Sequence, residues 1–320
     1  MTKMLITGGA GFIGTNFVKH IVKKYDYDLV VLDKLTYAGN INNLWKEIEN
    51  DDIFFIKGDI CDKELVNDLC KDVDIIVHFA AESHVYRSIA SPKEFINTNV
   101  IGTYTLLEAA REYDIRFHHI STDEVFGELG KKGYFNESTP YNPHSPYSAS
   151  KASSDHLVRA YHDTYGVRTT ISNCSNNYGP YQYPEKLIPL FITNLIDGKK
   201  LPVYGTGLNV RDWIHVQDHV EAVDLIIHEG KIGETYCVGG DAERTNMDIT
   251  KDLLNLFNEE YDKIKYVKDR KGHDFRYAID SSKMKKELKW KPRIEFSEGM
   301  QDNVIWYIEN NEWWRDLKDE

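Results

Sequence analysis

A chain of 320 residues is long enough to bury one large core or two moderate ones. Its formal net charge of -12 argues against a nucleic-acid or membrane-surface binder, both of which need a basic face, and four cysteines without a C-x-x-C pair argue against a zinc cage or a thioredoxin-like site. The glycine-rich turn begins by Gly8, which leaves no apolar region for a signal peptide, and no segment approaches the roughly 20 apolar residues of a membrane span; a cytoplasmic protein with reduced thiols and no metal is expected.

The first apolar run, Met4 to Thr7, reads as a buried strand and leads into Thr7-Gly8-Gly9-Ala10-Gly11-Phe12-Ile13-Gly14, which opens a helix. Glycines at 8, 11 and 14 let backbone N–H groups approach a pyrophosphate at the helix N-terminus. A turn built only for packing would use the same residues. The second run, Leu29 to Leu32, favours the cofactor reading, because it closes on Asp33, near the ~20-residue spacing of a carboxylate that hydrogen-bonds an adenosine ribose. A carboxylate there repels a 2'-phosphate and points to NAD rather than NADP, although Lys34 beside it is a cation such a phosphate would accept.

Runs at Ile53 to Ile56 and Ile75 to Phe79 continue the alternation of strand and helix, and polar segments follow them where open α/β sheets bind ligands: Gly58-Asp59-Ile60, then His78 to His84. His78, inside a strand, reads as a satisfied structural histidine. The fifth run, Phe117 to Ile120, ends at Ser121-Thr122-Asp123-Glu124-Val125-Phe126-Gly127. Adjacent carboxyls serve as general acid and general base when their environments separate their pKa values. The bland reading has Asp123 capping a short helix and Glu124 solvated; beside a nicotinamide site the functional reading is preferred. Next, Ser145-Pro146-Tyr147-Ser148-Ala149-Ser150-Lys151 places Tyr147 and Lys151 four apart at the start of a helical pattern, on one face, so that an ammonium can stabilise a phenolate base. Val167 to Ser172 is the sixth strand. After it the texture turns to Asn, Tyr, Pro and Gly, while Val220 to Ile227 and Thr235 to Val238 look like a returning sheet-covering helix and strand. The expected fold is α/β: a Rossmann-type doubly wound parallel sheet with a smaller C-terminal α/β substrate domain, divided as 1–177 plus 214–242 and 178–213 plus 243–320.

These residues together resemble the dTDP-glucose 4,6-dehydratase family of extended short-chain dehydrogenase/reductases, from the glycine turn to about Asp280. The matching stretches are Asp33 to Gly39, Ala81 to Val85, Ser121 to Val125, Tyr147 to Lys151, Asn173 to Pro180, Arg211-Asp212-Trp213 and Asp269 to Asp274. The Thr-Asp-Glu triplet is the specific element; the glycines and Tyr-x-x-x-Lys mark only the superfamily. A 4-epimerase or decarboxylase on the same scaffold needs no elimination acid, and a UDP-glucose 4,6-dehydratase would share the triplet.

The resemblance implies roles. Tyr147 takes the proton of the sugar 4-hydroxyl, Lys151 lowers its pKa and holds the nicotinamide ribose, and Thr122 hydrogen-bonds the 4-oxygen. Glu124 removes the carbon-5 proton and Asp123 protonates the departing 6-hydroxyl, with NAD as resident cofactor and a keto-deoxysugar nucleotide of rhamnose-type biosynthesis as product. NAD contacts map onto Phe12, Ile13, Asp33, Lys34, Leu35, Thr36, Asp59, Ile60, Phe79, Ala80, Ala81, Glu82, Ser83, Thr98, Tyr147, Lys151 and Asn177. Sugar and nucleotide contacts map onto Ser83, Thr122, Asn176, Lys186, Leu187, Pro202, Val203, Tyr204, Arg211, Asn246, Arg270 and His273; a diphosphate suits the two arginines. Tyr86, Phe126 and Lys271 stand where the family usually has Asp, Tyr and Pro. A homodimer joined through Lys93 to Tyr113 and Ser148 to Tyr165 is implied as well.

Overall fold

The computed structural model describes residues 1–269 and 273–319. Its strands are β1 (Lys3–Thr7), β2 (Asp28–Asp33), β3 (Phe54–Lys57), β4 (Ile75–His78), β5 (Arg116–Thr122), β6 (Thr169–Cys174), β7 (Asn176–Tyr178), β8 (Leu201–Tyr204), β9 (Val210–His215), β10 (Thr235–Val238), β11 (Glu243–Thr245) and β12 (Ile264–Val267). The first six and β10 form one parallel sheet in the order β10-β6-β5-β4-β1-β2-β3. These strands are continuous apolar runs because both faces are covered. On β1, Leu5 packs with Leu32, Ile76 and Phe117, whereas Met4 and Ile6 pack on the opposite face with Val31, Val77 and Ile120.

Helices Thr103–Glu112 and Pro146–Tyr165 supply Leu106, Leu107, Val158 and Tyr161 to the first layer. Helices Phe12–Lys24 and Val216–Glu229 supply Val18, Ile21, Val220 and Val223 to the second, so the returning helix and strand expected near residues 220 and 235 are both present. The chain runs from β1 outward to β3 and then crosses to place β4 on the other side of β1. That reversal opens a crevice beyond the carboxyl ends of β1 and β4, where the glycine turn and residues 79–84 leave the sheet.

Local sequence sets the helix that matters most here. Ser145 Oγ accepts from the Ser148 N–H at 3.1 Å while Ser148 Oγ accepts from the Ser145 N–H at 3.0 Å, Pro146 occupies the first turn, and Gly166 ends the helix at φ +72°. Tyr147 is thereby fixed in the first turn and Lys151 in the second.

Beyond β6, a three-stranded sheet (β11-β9-β7) and a parallel pair (β12-β8) combine with helices Leu187–Ile196, Asn246–Leu256 and Phe296–Glu309. Their shared core contains Phe191, Trp213, Leu253, Met300 and Trp314. All four cysteines are free. Among the described residues no helix is long and apolar enough to cross a membrane, and no His, Cys, Asp and Glu cluster could hold a metal ion.

Candidate active site

The turn after β1 is shaped by the absence of side chains. Gly8 has φ +72°, and a Cβ there would lie 2.5 Å from the Ala80 nitrogen; at Gly14 a Cβ would lie 2.2 Å from the Gly8 oxygen. Either substitution would force the turn away from residues 79–84. Gly11 caps the Phe12–Lys24 helix without a side chain, so the first N–H groups face the crevice with no built-in competitor, as a pyrophosphate requires. Asp33 sits where expected, at the end of β2. Its Oδ2 accepts from the Ala10 N–H at 3.0 Å and its Oδ1 from the Leu35 N–H at 2.8 Å, tying the strand end to the glycine turn. Burial pushes this carboxyl up, and the two N–H groups pull against it. Lys34 Nζ lies 2.6 Å from Asp59 Oδ2, so its charge is matched by a carboxylate. Thr36 is exposed nearby, and Ile13 packs against the same core layer as Phe79. Ile60 is different: its side chain is buried in the core that Leu106 shares.

Residues 79–84 are held by a residue that the sequence did not flag. Asn99 Oδ1 accepts from the Glu82 N–H at 2.8 Å, and Asn99 Nδ2 donates to the Glu82 carbonyl at 3.0 Å and to Ser150 Oγ at 2.8 Å. Asn99 and its neighbour Thr98 lie in a π-helical stretch, Ile96–Gly102, a widened turn with no sequence signature. His78 is structural, as expected: its ring nitrogens contact Thr7 Oγ1 at 2.8 Å and Thr103 Oγ1 at 2.9 Å, and burial holds its pKa well below the ordinary value.

The triplet and the tyrosine–lysine pair meet where β5 ends. Thr122 Oγ1 accepts from the Glu124 N–H at 3.2 Å and so caps a single 3-10 turn, Asp123–Phe126; the cap is the threonine, and Asp123 is one residue further in. Thr122 Oγ1 also donates to Asp123 Oδ1 at 3.2 Å, while Asp123 Oδ2 is buried without a protein partner. Asp123 is only 2 % exposed; burial, and then the charge of Glu124, push its pKa well above the ordinary carboxyl value, with Arg211 pulling the other way. Glu124 is less buried. Tyr147 is buried beside them, and burial followed by the Glu124 charge pushes its phenol up, with a Thr122 hydrogen bond in the opposite sense. Lys151 shares the helix face with Tyr147, but its Nζ donates to the Ile120 carbonyl at 2.8 Å and approaches His119 Nε2 at 3.3 Å. The sequence missed His119, which faces the lysine from β5.

The other expected contacts form a rim. Lys186 Nζ donates to the Ser83 carbonyl at 3.3 Å, Leu187 opens the next helix, and the Tyr204 ring lies 5.9 Å from that of Tyr86. Pro202 is partly exposed, but the Val203 side chain points into the second core. Arg211 donates to the Val210 carbonyl at 2.7 Å and the Asp274 carbonyl at 2.9 Å, with its guanidinium 4.2 Å from the centre of the Tyr277 ring. Asn246 joins this wall through Asn209, whose side chain also donates to Asp274. His273 Nδ1 is 2.7 Å from Asp269 Oδ1. Asn176 Oδ1 is buried without a protein partner, and Asn177 Oδ1 meets His219 Nδ1 at 2.9 Å. Arg270 and Lys271 lie outside the described residues. Phe126 stacks on Phe135 within a small apolar cluster, which needs no hydroxyl.

Known proteins resemble this chain over nearly its whole length. A family model described as GDP-mannose 4,6 dehydratase matches residues 5–303. The dTDP-glucose 4,6-dehydratase of Mycobacterium tuberculosis is 54% identical over 321 residues, 99% of this chain and 96% of that protein. That of Escherichia coli is 49% identical over 350 residues, with the same two coverages of 99% and 96%. Among solved structures, the dTDP-glucose 4,6-dehydratase of Streptomyces venezuelae, determined with NAD bound, superposes at a TM-score of 0.97 with 48% identity, covering 99% of this chain and 100% of that one. A UDP-glucose 4-epimerase from Thermotoga maritima superposes at 0.91 but with 28% identity, covering 97% of this chain and 100% of that one. The scaffold is thus common to several chemistries, and the sequence separates them: this chain belongs to the dTDP-glucose 4,6-dehydratase family of extended short-chain dehydrogenase/reductases.

Proposed function

We propose that this protein is an NAD-dependent hydro-lyase that converts dTDP-glucose to dTDP-4-keto-6-deoxyglucose and water, for deoxysugar biosynthesis. The observation that carries the reading is the unequal burial of two adjacent carboxyls beside a buried tyrosine. Asp123, enclosed and pushed toward its neutral form, is suited to give a proton; Glu124, more accessible, is suited to take one.

The Gly8–Gly14 turn would hold the pyrophosphate of NAD and Asp33 its adenosine ribose, and the bound cofactor would supply a hydride acceptor for oxidation at carbon 4 and a hydride donor for carbon 6. Lys34, the cation beside Asp33, is paired with Asp59, which supports NAD over NADP. Tyr147 receives the 4-hydroxyl proton as its phenolate, the form that the Lys151 charge must favour against the burial that pushes the phenol up, with Thr122 bonded to the same oxygen. Once carbon 4 is a ketone the carbon-5 proton is acidified; Glu124 removes it, and Asp123 protonates the leaving 6-hydroxyl. The rim from Ser83 and Lys186 through Tyr204 to Arg211, Asn246 and His273 takes the nucleotide diphosphate.

The same reading divides the chain into a cofactor domain, 1–177 plus 214–242, and a substrate domain, 178–213 plus 243–320, supported by the distinct cores around Leu5 and Phe191, while Met284, Leu288 and Trp290 of the second part pack on Ile214, Ala222 and Tyr236 of the first. It also makes the protein a cytoplasmic homodimer. Free cysteines support the compartment, and exposed Ile101, Tyr104 and Tyr165 on the two helical stretches support the pairing.

The test is the product formed from dTDP-glucose against UDP-glucose, with substrate deuterated at carbon 4. The expected product of the thymidine substrate carries the label at carbon 6 of the same molecule. An epimer as product, a preference for the uridine nucleotide, or crossover of label between molecules would overturn the assignment.

A further inference from the structure

Behind Lys151 lies a buried cluster that the reaction as outlined leaves without a task. The lysine is 4 % exposed, and its ammonium is held by the Ile120 carbonyl at 2.8 Å and by His119 Nε2 at 3.3 Å. The same His119 nitrogen is 3.3 Å from Asp155 Oδ1. His119 and Asp155 are both fully buried. Asp155 Oδ2 accepts from Ser121 Oγ at 2.9 Å, the Tyr141 hydroxyl at 2.7 Å and Asn173 Nδ2 at 3.1 Å, and Arg159 backs this set by donating to the Tyr141 hydroxyl at 2.7 Å. Asp155 Oδ1 faces only the imidazole edge.

An ammonium taken out of water needs a counter-charge. The titratable groups around this one come from four elements: His78 on β4, His119 on β5, Cys174 on β6, and Tyr147 and Asp155 on its own helix. Burial keeps both histidines in their neutral form, pushing His119 down to about 4, and pushes the Cys174 thiol up to about 12. Burial alone would raise Asp155, yet its carboxyl lies below the ordinary value, with the Lys151 charge and the three donors on Oδ2 favouring the carboxylate. Asp155 is therefore the negative member of the set.

We propose that His119 and Asp155 are positioning residues for the reaction: Asp155 is the buried counter-ion of Lys151, and His119, through Nε2, is the acceptor that holds the ammonium in register behind Tyr147. With Lys151 donating to Nε2, the imidazole carries its proton on Nδ1 and acts on the lysine as an acceptor. The unit matters because burial already brings Lys151 down to about 8, with the Asp155 charge opposing that fall. Without the carboxylate the lysine loses its proton at a lower pH, and a neutral amine no longer stabilises a phenolate. This inference rests on the role proposed above for Tyr147 and Lys151.

The experiment follows the lysine directly. Protein labelled with carbon-13 at lysine Cε is titrated by NMR as wild type, Lys151→Met (to assign the signal) and Asp155→Asn, with thermal melts to establish folding. Asp155→Asn is expected to move the Lys151 midpoint down by about one pH unit or more. The alkaline limb of kcat should shift by a similar amount while KM stays within about twofold. Should Asp155→Asn not fold, His119 gives a second route: His119→Leu should lower kcat about tenfold or more, and His119→Gln, which retains an acceptor, should restore most of it. An unmoved lysine midpoint in a folded Asp155→Asn protein, or equal kcat in His119→Leu and His119→Gln, would overturn the proposal. Full activity in Lys151→Met would instead overturn the underlying reading of the lysine.

Discussion

Asp123 and Glu124 are neighbours in sequence, yet the 3-10 turn that follows β5 encloses the first, 2 % exposed, and leaves the second more accessible. Desolvation penalises only the charged form, and most where burial is complete, so Asp123 is the one pushed toward its neutral form. Asp123→Asn and Glu124→Gln are each expected to lower turnover by roughly 10²-fold or more while leaving oxidation at carbon 4 intact, the usual scale for a lost acid or base. Tyr147→Phe should abolish the oxidation itself. Single-turnover nicotinamide absorbance separates the two classes, and wild-type turnover in both carboxyl variants would make the triplet structural. The residue types and their adjacency were legible from the chain. Which carboxyl is enclosed was not, because that depends on Thr122 capping the turn and on Arg211 and Tyr277 arriving from elsewhere.

At the scale of elements, the strands and the start of the Pro146–Tyr165 helix were readable because each has a local cause: continuous apolar runs in one case, a Ser-Pro-x-Ser capping pattern in the other. The π-helical stretch Ile96–Gly102 has no such cause, and with it went Asn99. The C-terminal helix Asn311–Asp319 is a second case. Its Trp313 Nε1 donates to Asn43 Oδ1 at 2.7 Å, and Asn43 Nδ2 donates to the Ala10 carbonyl at 3.1 Å, so the end of the chain braces the glycine turn. Trp313→Phe keeps the ring and removes the donor, a loss of about 1 kcal/mol. If the turn holds the dinucleotide, the variant should purify with a lower NAD content, measured on nucleotide released by denaturation. Content equal to wild type would confine Trp313 to packing.

At the scale of the molecule, the parallel sheet carries apolar layers on both faces, and the second core hangs beyond the carboxyl ends of its strands, so the crevice between them gathers groups far apart in the chain. The helices flanking the sheet leave Ile101 at 46%, Tyr104 at 45% and Tyr165 at 49% exposure, with the Arg111 guanidinium 3.9 Å from the Tyr165 ring centre. If a second copy covers this face, Tyr104→Glu should weaken the dimer by about 2 kcal/mol or more, the scale of a buried aromatic anchor. Sedimentation velocity at micromolar concentration should then show a shift toward monomer, and an unchanged distribution would place the interface elsewhere. Local pattern alone determined the parallel sheet, the glycine turn with Asp33, and the pairing of Tyr147 with Lys151 on one helix face, since each follows from spacing within a few residues or from apolar runs. Only the tertiary structure decided which carboxyl is enclosed, that Lys34 meets Asp59, and that Lys151 is backed by His119 and Asp155, because desolvation and charge pairing depend on what surrounds a group.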